Sequence, residues 1–277
     1  MKKYWLFSLI LCIIAISSCH KSNSSGNSSG SAYYVSSTVT LTAGTRIVDS
    51  LAYDSSTPER LTAFIQTKYD TTTGTPVLTV ATTTFNPGSG SVPTTGYTYS
   101  INGNTVAHNL SFDNQNRVIK DTCPTTGYVA YFSYPNGNIA ATVLFDGLAT
   151  DNQIDTLYMS GGNIAKANTW MPNDEGTADS LEGSLQFGYS SVVNPVYHSN
   201  ITGTIGPLLY LLTVDGLGGG LDPVSEKASN SLSGQIDGLP SGLTIGFTQT
   251  TDSKGRLSEL YASLLGISET IYFNYYN

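Results

Sequence analysis

Three cysteines and three histidines are the most reactive side chains in this 277-residue chain, and one of the six sits in a context that specifies a reaction. Cys19 follows a basic Lys2-Lys3 start, an apolar run from Tyr4 to Ile16, and the small residues Ser17-Ser18. The apolar run is shorter than the roughly 20 residues of a permanent helical span and has the form of a signal h-region. Small residues directly before a cysteine complete a lipoprotein signal. The chemistry is transfer of a diacylglycerol to the Cys19 thiol, cleavage before Cys19, and acylation of the freed amino group by a further chain such as palmitate. Several chains hold a protein to a membrane far more firmly than one. The expected organisation is a signal peptide over 1–18, an acylated cysteine with a flexible tether over 19–31, and a single β domain over 32–277.

The remaining reactive side chains point to no catalytic, metal-binding or cofactor-binding role. Cys123 precedes Pro124 at the end of a strand-like run, has no histidine at a recognisable spacing, and reads as a half-buried small apolar residue. With Cys12 in the signal and Cys19 acylated, no internal disulfide is available. His20 lies in the tether, and neither His108 nor His198 has a His or Cys at zinc-ligand spacing. His108 alternates with Val106 and Leu110 and is expected to point inward with a hydrogen-bond partner. Asp174, Glu175, Asp179 and Glu182 lack EF-hand spacing and read as a solvated loop. The glycines at 216 and 218–220 lack the Lys-Ser/Thr end of a phosphate loop, and there is no nucleophile elbow or His-Glu-x-x-His. A pair of hydrolytic carboxylates, roughly 5–9 Å apart, is a property of a fold rather than of a spacing. A glycan-processing enzyme of the envelope is therefore the alternative to a non-enzymatic reading.

Composition narrows the partners. Without Lys2 and Lys3 the chain has ten basic against twenty acidic side chains, and the basic ones are scattered singly. A phosphate backbone requires a clustered basic footprint, so nucleic acid is not a partner. The residues after the leader, roughly 245, suffice for one large core, and all-β domains of that size are common single units.

These residues must be positioned by strands. His20 to Ser31 has no apolar side chain and is expected to be a flexible tether. From Tyr33 onward, short alternating runs rich in Thr, Val, Ile, Tyr and Phe are broken by Gly, Asn, Asp and Pro about every ten residues, as in antiparallel strands. Val106, His108, Leu110 and Phe112 share one face; Ile139, Ala141, Val143 and Phe145 share another; Ile271, Phe273 and Tyr275 a third. Asp113 to Val118 and Asp252 to Leu257 repeat an Asp, a short polar turn, an Arg and an aliphatic; Asp54 to Leu61 is a longer version. Asn102-Gly103, Asn136-Gly137 and Gly161-Gly162 supply tight hairpin tips. A meander follows, each strand pairing with the one before it. The strand ending near Tyr189 is followed by Asn194-Pro195, and Pro207 starts a short helix containing Leu208 to Leu212. The stretch from Leu221 to Gly242 reads as mostly loop, with room for one short element. Leu208 to Leu212 is expected to plug the curled sheet.

Eighteen tyrosines offer amphipathic rings suited to stacking on sugars. Tyr128, Tyr131, Tyr158 and Trp170 are the candidates for ligand stacking.

The lipobox at Cys19, the Asp54, Asp113 and Asp252 turns, and the Tyr189 to Tyr197 segment together resemble Bacteroidota envelope lipoproteins with YD-repeat-like β-meanders, whose function is uncharacterised. In that family an Asn-Pro and aromatic precede an apolar segment and a polar turn, which Ser225 to Asn230 echoes. The resemblance implies one antiparallel sheet, strongly twisted or curled towards a barrel, and brings no catalytic residue. Asp49-Ser50-Leu51, Asp70-Thr71-Thr72, Asp155-Thr156-Leu157 and Asp179-Ser180-Leu181 match the O-glycan acceptor pattern of that bacterial group. The expected role is a binding or structural module of the envelope, with a glycan or another envelope protein as partner and no cofactor. Because no acidic residue follows Cys19 in His20 to Gly30, the periplasmic face of the outer membrane is expected rather than the cell surface.

Overall fold

The computed structural model describes residues 35–276, except 43, 55–59, 73, 87–94, 145–151, 173–178, 196–204, 210–223, 237–241 and 265–266. The expected signal, acylation site and tether, with His20 and Cys19, therefore lie outside the described residues. Sixteen strands are present among those described. They are β1 Val35–Thr42, β2 Thr45–Tyr53, β3 Leu61–Asp70, β4 Val77–Phe85, β5 Gly96–Ile101, β6 Asn104–Phe112, β7 Val118–Cys123 and β8 Tyr128–Ser133. The second half comprises β9 Ile139–Leu144, β10 Asn152–Ser160, β11 Asn163–Pro172, β12 Asp179–Val193, β13 Lys227–Ile236, β14 Leu243–Thr251, β15 Leu257–Leu264 and β16 Ile267–Tyr275. Each pairs antiparallel with its chain neighbour, and β1 closes on β16, Thr38 opposite Phe273 and Thr40 opposite Ile271. The meander expected from the alternation is thus a closed barrel with no free edge.

Alternation decides which side chains fill the interior. Ile47, Asp49 and Leu51 are buried on β2, Ala81, Thr83 and Phe85 on β4, and Glu269, Ile271 and Phe273 on β16. Because the meander has no crossover, the turns leading out of even-numbered strands share one end with Val35, here the near end; turns leading out of odd-numbered strands form the far end. Buried apolar side chains are concentrated at the near end, where Val35, Leu51, Leu61, Phe85, Val118 and Leu257 belong to one cluster. A helical turn over 205–209, inserted between β12 and β13, adds Ile205, Leu208 and Leu209 to that cluster. The expected plug is therefore present in its described part. It begins two residues before Pro207, since proline is compatible with a first helical turn whose N–H groups lack partners.

Two hairpins at the near end are built alike. At Asp113 the backbone N–H donates to the Arg117 carbonyl at 2.9 Å, and at Asp252 the same bond to Arg256 is 2.8 Å. The aspartate Oδ1 accepts the backbone N–H of its own arginine at 2.9 Å in both, and Oδ2 accepts the arginine Nε at 2.8 Å and Nη2 at 2.7 Å. Asp54 and Arg60 repeat the pairing, with Asp54 N–H donating to the Arg60 carbonyl at 2.9 Å and a side-chain ion pair. In all three, the residue after the arginine, Leu61, Val118 or Leu257, is the first fully buried side chain of the next strand. An aspartate that accepts the bonds of a turn fixes its length, and the turn in turn fixes which parity faces inward.

The region around β12 and β13 corrects the sequence expectation. β12 does not end near Tyr189 but runs to Val193, and Leu221 to Gly242 is not mostly loop, because Lys227–Ile236 is a ten-residue strand. The polar turn expected over Ser225 to Asn230 is replaced by the start of that strand. Lys227-Ala-Ser-Asn-Ser-Leu-Ser-Gly-Gln-Ile has little intrinsic strand preference. It is held by pairing on both sides, Leu232 lying opposite Phe187 and Ile245. Cys123 also differs from expectation in degree: it is 1% exposed, fully rather than half buried.

Candidate functional site inside the barrel

Buried polar side chains stand among the apolar ones on the inward faces, beside residues such as Val143, Ile245 and Ala262. Three groups of them are present. On β1 to β3, Asp49 is fully buried; Gln66 Nε2 donates to its Oδ1 at 3.1 Å and Thr38 Oγ1 to its Oδ2 at 3.3 Å. Burial pushes the Asp49 carboxyl up to about 7, only partly offset by these two donors. On the other side of β1, Glu269 is 4% exposed, and burial pushes its carboxyl up to about 8. Its Oε1 and the Oγ1 of Thr40, also 4% exposed, are buried without a hydrogen-bond partner.

The second group joins β5, β6 and β7. Tyr97 Oη donates to Asp121 Oδ2 at 2.5 Å and lies 2.8 Å from His108 Nδ1, which in turn lies 2.9 Å from Asp121 Oδ1. Hydrogen on Nδ1 satisfies both carboxyl oxygens, since Tyr97 already serves the other. The Tyr97 and His108 rings stack with centroids 4.4 Å apart, and Tyr128 meets the imidazole edge-on at 5.5 Å. Burial, and then the Asp121 charge, hold the Tyr97 hydroxyl well above its usual value. His108 is thus the bonded inward residue that its alternation with Val106 and Leu110 implies. In the third group Asp155 accepts Gln153 Nε2 at 2.6 Å and Thr169 Oγ1 at 2.6 Å, and burial raises its carboxyl despite both bonds.

The four stacking candidates do not form one site. Tyr128 points inward against His108. Tyr131 and Tyr158 are exposed on the outer wall, with the ammonium of Lys120 5.3 Å and that of Lys166 5.7 Å from the respective ring centroids. Trp170 pairs with Ile154 and Leu181, the latter exposed, on the outer face. Of the glycan-acceptor matches, Asp49 and Asp155 have their carboxyls inside the wall, whereas Asp70-Thr71-Thr72 lies in an exposed turn where Asp70 accepts the Thr72 N–H. His198, Asp174 and Glu175 lie outside the described residues, as do the glycines at 216 and 218–220. Among the described residues no His, Cys, Asp and Glu group has the makings of a metal site.

Sequence reasoning missed Thr40, Asp49, Asp121, Asp155 and Glu269. A signal was present: each is a polar residue at the inward parity of an alternating strand, as Asp49 is between Ile47 and Leu51.

The outer wall has a different character. Across β12 to β16 it presents Gln186, Ser231, Thr244, Thr248, Ser263 and Asn274, all exposed or half-buried. Exposed apolar and aromatic side chains also occur around it: Leu41, Tyr69 and Leu78 follow one another across β1, β3 and β4 with Arg46 of β2 between the first two, and Ile119, Tyr131, Tyr158, Leu181, Tyr261 and Tyr272 are exposed on other strands.

No family model and no curated protein matches the chain. Among solved structures it is similar to a porin-like protein from Bacteroides uniformis, 14% identical, with a TM-score of 0.52 over 88% of this chain and 98% of the other. It is also similar to a porin-like protein from Bacteroides vulgatus, 11% identical, with a TM-score of 0.46 over 88% of this chain and 99% of that one. The fold is therefore one that a porin-like protein of Bacteroides also adopts.

Proposed function

We propose that this chain is a lipid-tethered β-barrel of the cell envelope, held through Cys19, that binds a small ligand in its interior without transforming it. The observation that carries the reading is the set of polar groups buried inside the barrel among apolar side chains, two of which, Thr40 Oγ1 and Glu269 Oε1, have no hydrogen-bond partner. Buried polar atoms are almost always hydrogen-bonded, so orphaned ones facing a barrel interior point to a missing partner. The outer wall supports the tether. Membrane-spanning barrels carry an apolar band outside and polar groups inside, whereas this barrel has an apolar core and many outward Ser, Thr, Asn and Gln residues across β12 to β16. This supports attachment through the lipid rather than through the wall. Val35, where the described barrel starts, lies at the near end, so the tether would join the barrel there. The likeness to a porin-like fold from Bacteroides is in keeping with an outer-membrane setting, and the absence of acidic residues after Cys19 favours its periplasmic face.

Two measurements test this. Cys19→Ser should move the protein from the membrane to the soluble fraction and abolish fatty-acid labelling; retained labelling rejects the anchor. A thermal-shift screen of sugars, amines, carboxylates and peptides against the full-length protein should return at least one class that raises the unfolding midpoint without being consumed. Turnover of a glycan that stops on changing a single inward carboxylate would favour the hydrolase instead.

A further inference from the structure

Four inward carboxyls are buried in the described barrel, and three have donors. Asp49 has Gln66 and Thr38, Asp121 has Tyr97 and His108, and Asp155 has Gln153 and Thr169. Glu269 differs: its Oε1 is buried with nothing to accept from. Of the other two buried side-chain atoms without a partner, Asn168 Oδ1 lies on β11 and Thr40 Oγ1 is the neighbour of Glu269. Thr40 pairs with Ile271, so Glu269, two residues earlier on the same face of β16, occupies the diagonal position. Diagonal side chains in an antiparallel pair stand about 7–8 Å apart or less, so one small ligand group can reach both. The surroundings are apolar: Ile47 faces Thr40 across β2, Ile271 lies beside it, and Ala262 faces Glu269 across β15, all three buried.

We propose that Glu269 and Thr40 form a binding site for the ammonium group of a small primary amine, whose alkyl part lies against Ile47, Ile271 and Ala262. This rests on the reading of the barrel as a binding module and names its ligand class. Charge selects the amine. An ammonium group has three donors and no acceptor, which suits a carboxylate and a hydroxyl oxygen that both lack a donor. The nearest inward charged groups described on neighbouring strands are Asp49 on β2 and Lys68 on β3, and Lys68 is engaged by Asp70 at 3.8 Å. An anion would meet carboxyls, and a neutral alcohol has one donor for two unpartnered oxygens. Because burial keeps Glu269 protonated near neutrality, capture of an ammonium ion at pH 7 transfers the Glu269 proton to the solvent and leaves an ion pair.

The test is calorimetric titration of the full-length protein at pH 7 with n-butylammonium chloride, n-butanol and sodium butyrate, each in two buffers of different ionisation enthalpy. Only the ammonium salt should bind, with release of about one proton. Glu269→Gln, which keeps the side-chain volume, should lower its affinity by about tenfold or more, and Thr40→Val, which leaves the carboxyl in place, by a smaller factor. Equal binding of butanol, unchanged affinity in Glu269→Gln, or no heat from the ammonium salt overturns the proposal. If the ammonium salt fails while another class shifts the unfolding midpoint in the wider screen, the amine is rejected and the binding module stands. If nothing binds in either experiment, both are rejected.

Discussion

The guanidinium of Arg256 lies over the ring of Tyr275, its central carbon 3.9 Å from the ring centroid, and Arg117 lies over Tyr134 at 4.0 Å in the same way. In each case the tyrosine hydroxyl continues past the arginine and donates to the carbonyl of the residue after it, Tyr275 to Leu257 at 2.6 Å and Tyr134 to Val118 at 2.7 Å. The aspartate holds one edge of the guanidinium and the tyrosine covers its face, so a two-strand hairpin is clamped to a more distant part of the chain. This is the same device built twice, once in the middle of the sequence and once near its C-terminal end.

Removing the clamp should destabilise the barrel. Arg256 is the better target, since its side chain is 15% exposed against 34% for Arg117 and is less screened by solvent. Arg256→Ala is expected to cost about 1–2 kcal/mol in urea unfolding, and Tyr275→Phe, which keeps the stacking and loses the hydroxyl bond, about 1 kcal/mol. Equal midpoints for wild type and Arg256→Ala would show that the clamp adds nothing.

Stability should fall as pH rises across neutrality. Burial holds Asp49, Asp155 and Glu269 above ordinary carboxyl values, Asp49 up to about 7 and Glu269 up to about 8. The folded chain keeps protons there that the unfolded chain has released. Their contribution is therefore complete below the ordinary carboxyl pKa and is lost as pH rises through about 8. Asp113 and Asp252 act in the opposite sense. Desolvation opposes their ionisation, but bonds from Arg117 and Gln115, and from Arg256 and Lys254, outweigh it and hold both below the usual value. Their contribution is lost only in acid. The unfolding free energy from denaturant titration should decline from about pH 5.5 to about pH 8.5, by a few kcal/mol in all; a rise over that window would contradict the burial of these carboxyls.

Tyr97→Phe should cost about 1–3 kcal/mol, because it leaves the buried Asp121 carboxyl short of a donor. His108→Gln, which can restore one N–H, should cost less than His108→Ala. Asp121→Asn made together with Tyr97→Phe should cost less than the two changes summed, and strict additivity in this double-mutant cycle would deny the network.

Leu208→Ala is expected to destabilise by about 2–5 kcal/mol, since Leu208 is 0% exposed within the near-end core. Amide exchange at Leu208 and Leu209 should be slow in the isolated protein. Fast exchange there would mean that the helical turn is not part of the core.

Periodicity in the sequence was enough to set out the all-β meander, the inward faces of Val106 to Phe112 and Ile271 to Phe273, and the three Asp–Arg turns. These are local properties: alternation sets which face is apolar, and an aspartate can satisfy its own turn wherever that turn lies. His108 was legible for the same reason, as a polar residue at an apolar parity. Closure was not legible, because the pairing of Thr40 with Ile271 joins residues more than two hundred positions apart and no local pattern encodes it. Nor was β13, whose serines and asparagines become a strand only once β12 and β14 offer ladders on both sides. The site depends on the same closure. Thr40 and Glu269 stand at opposite ends of the chain, and only the barrel brings their strands together and buries both, each with an oxygen that has no hydrogen-bond partner.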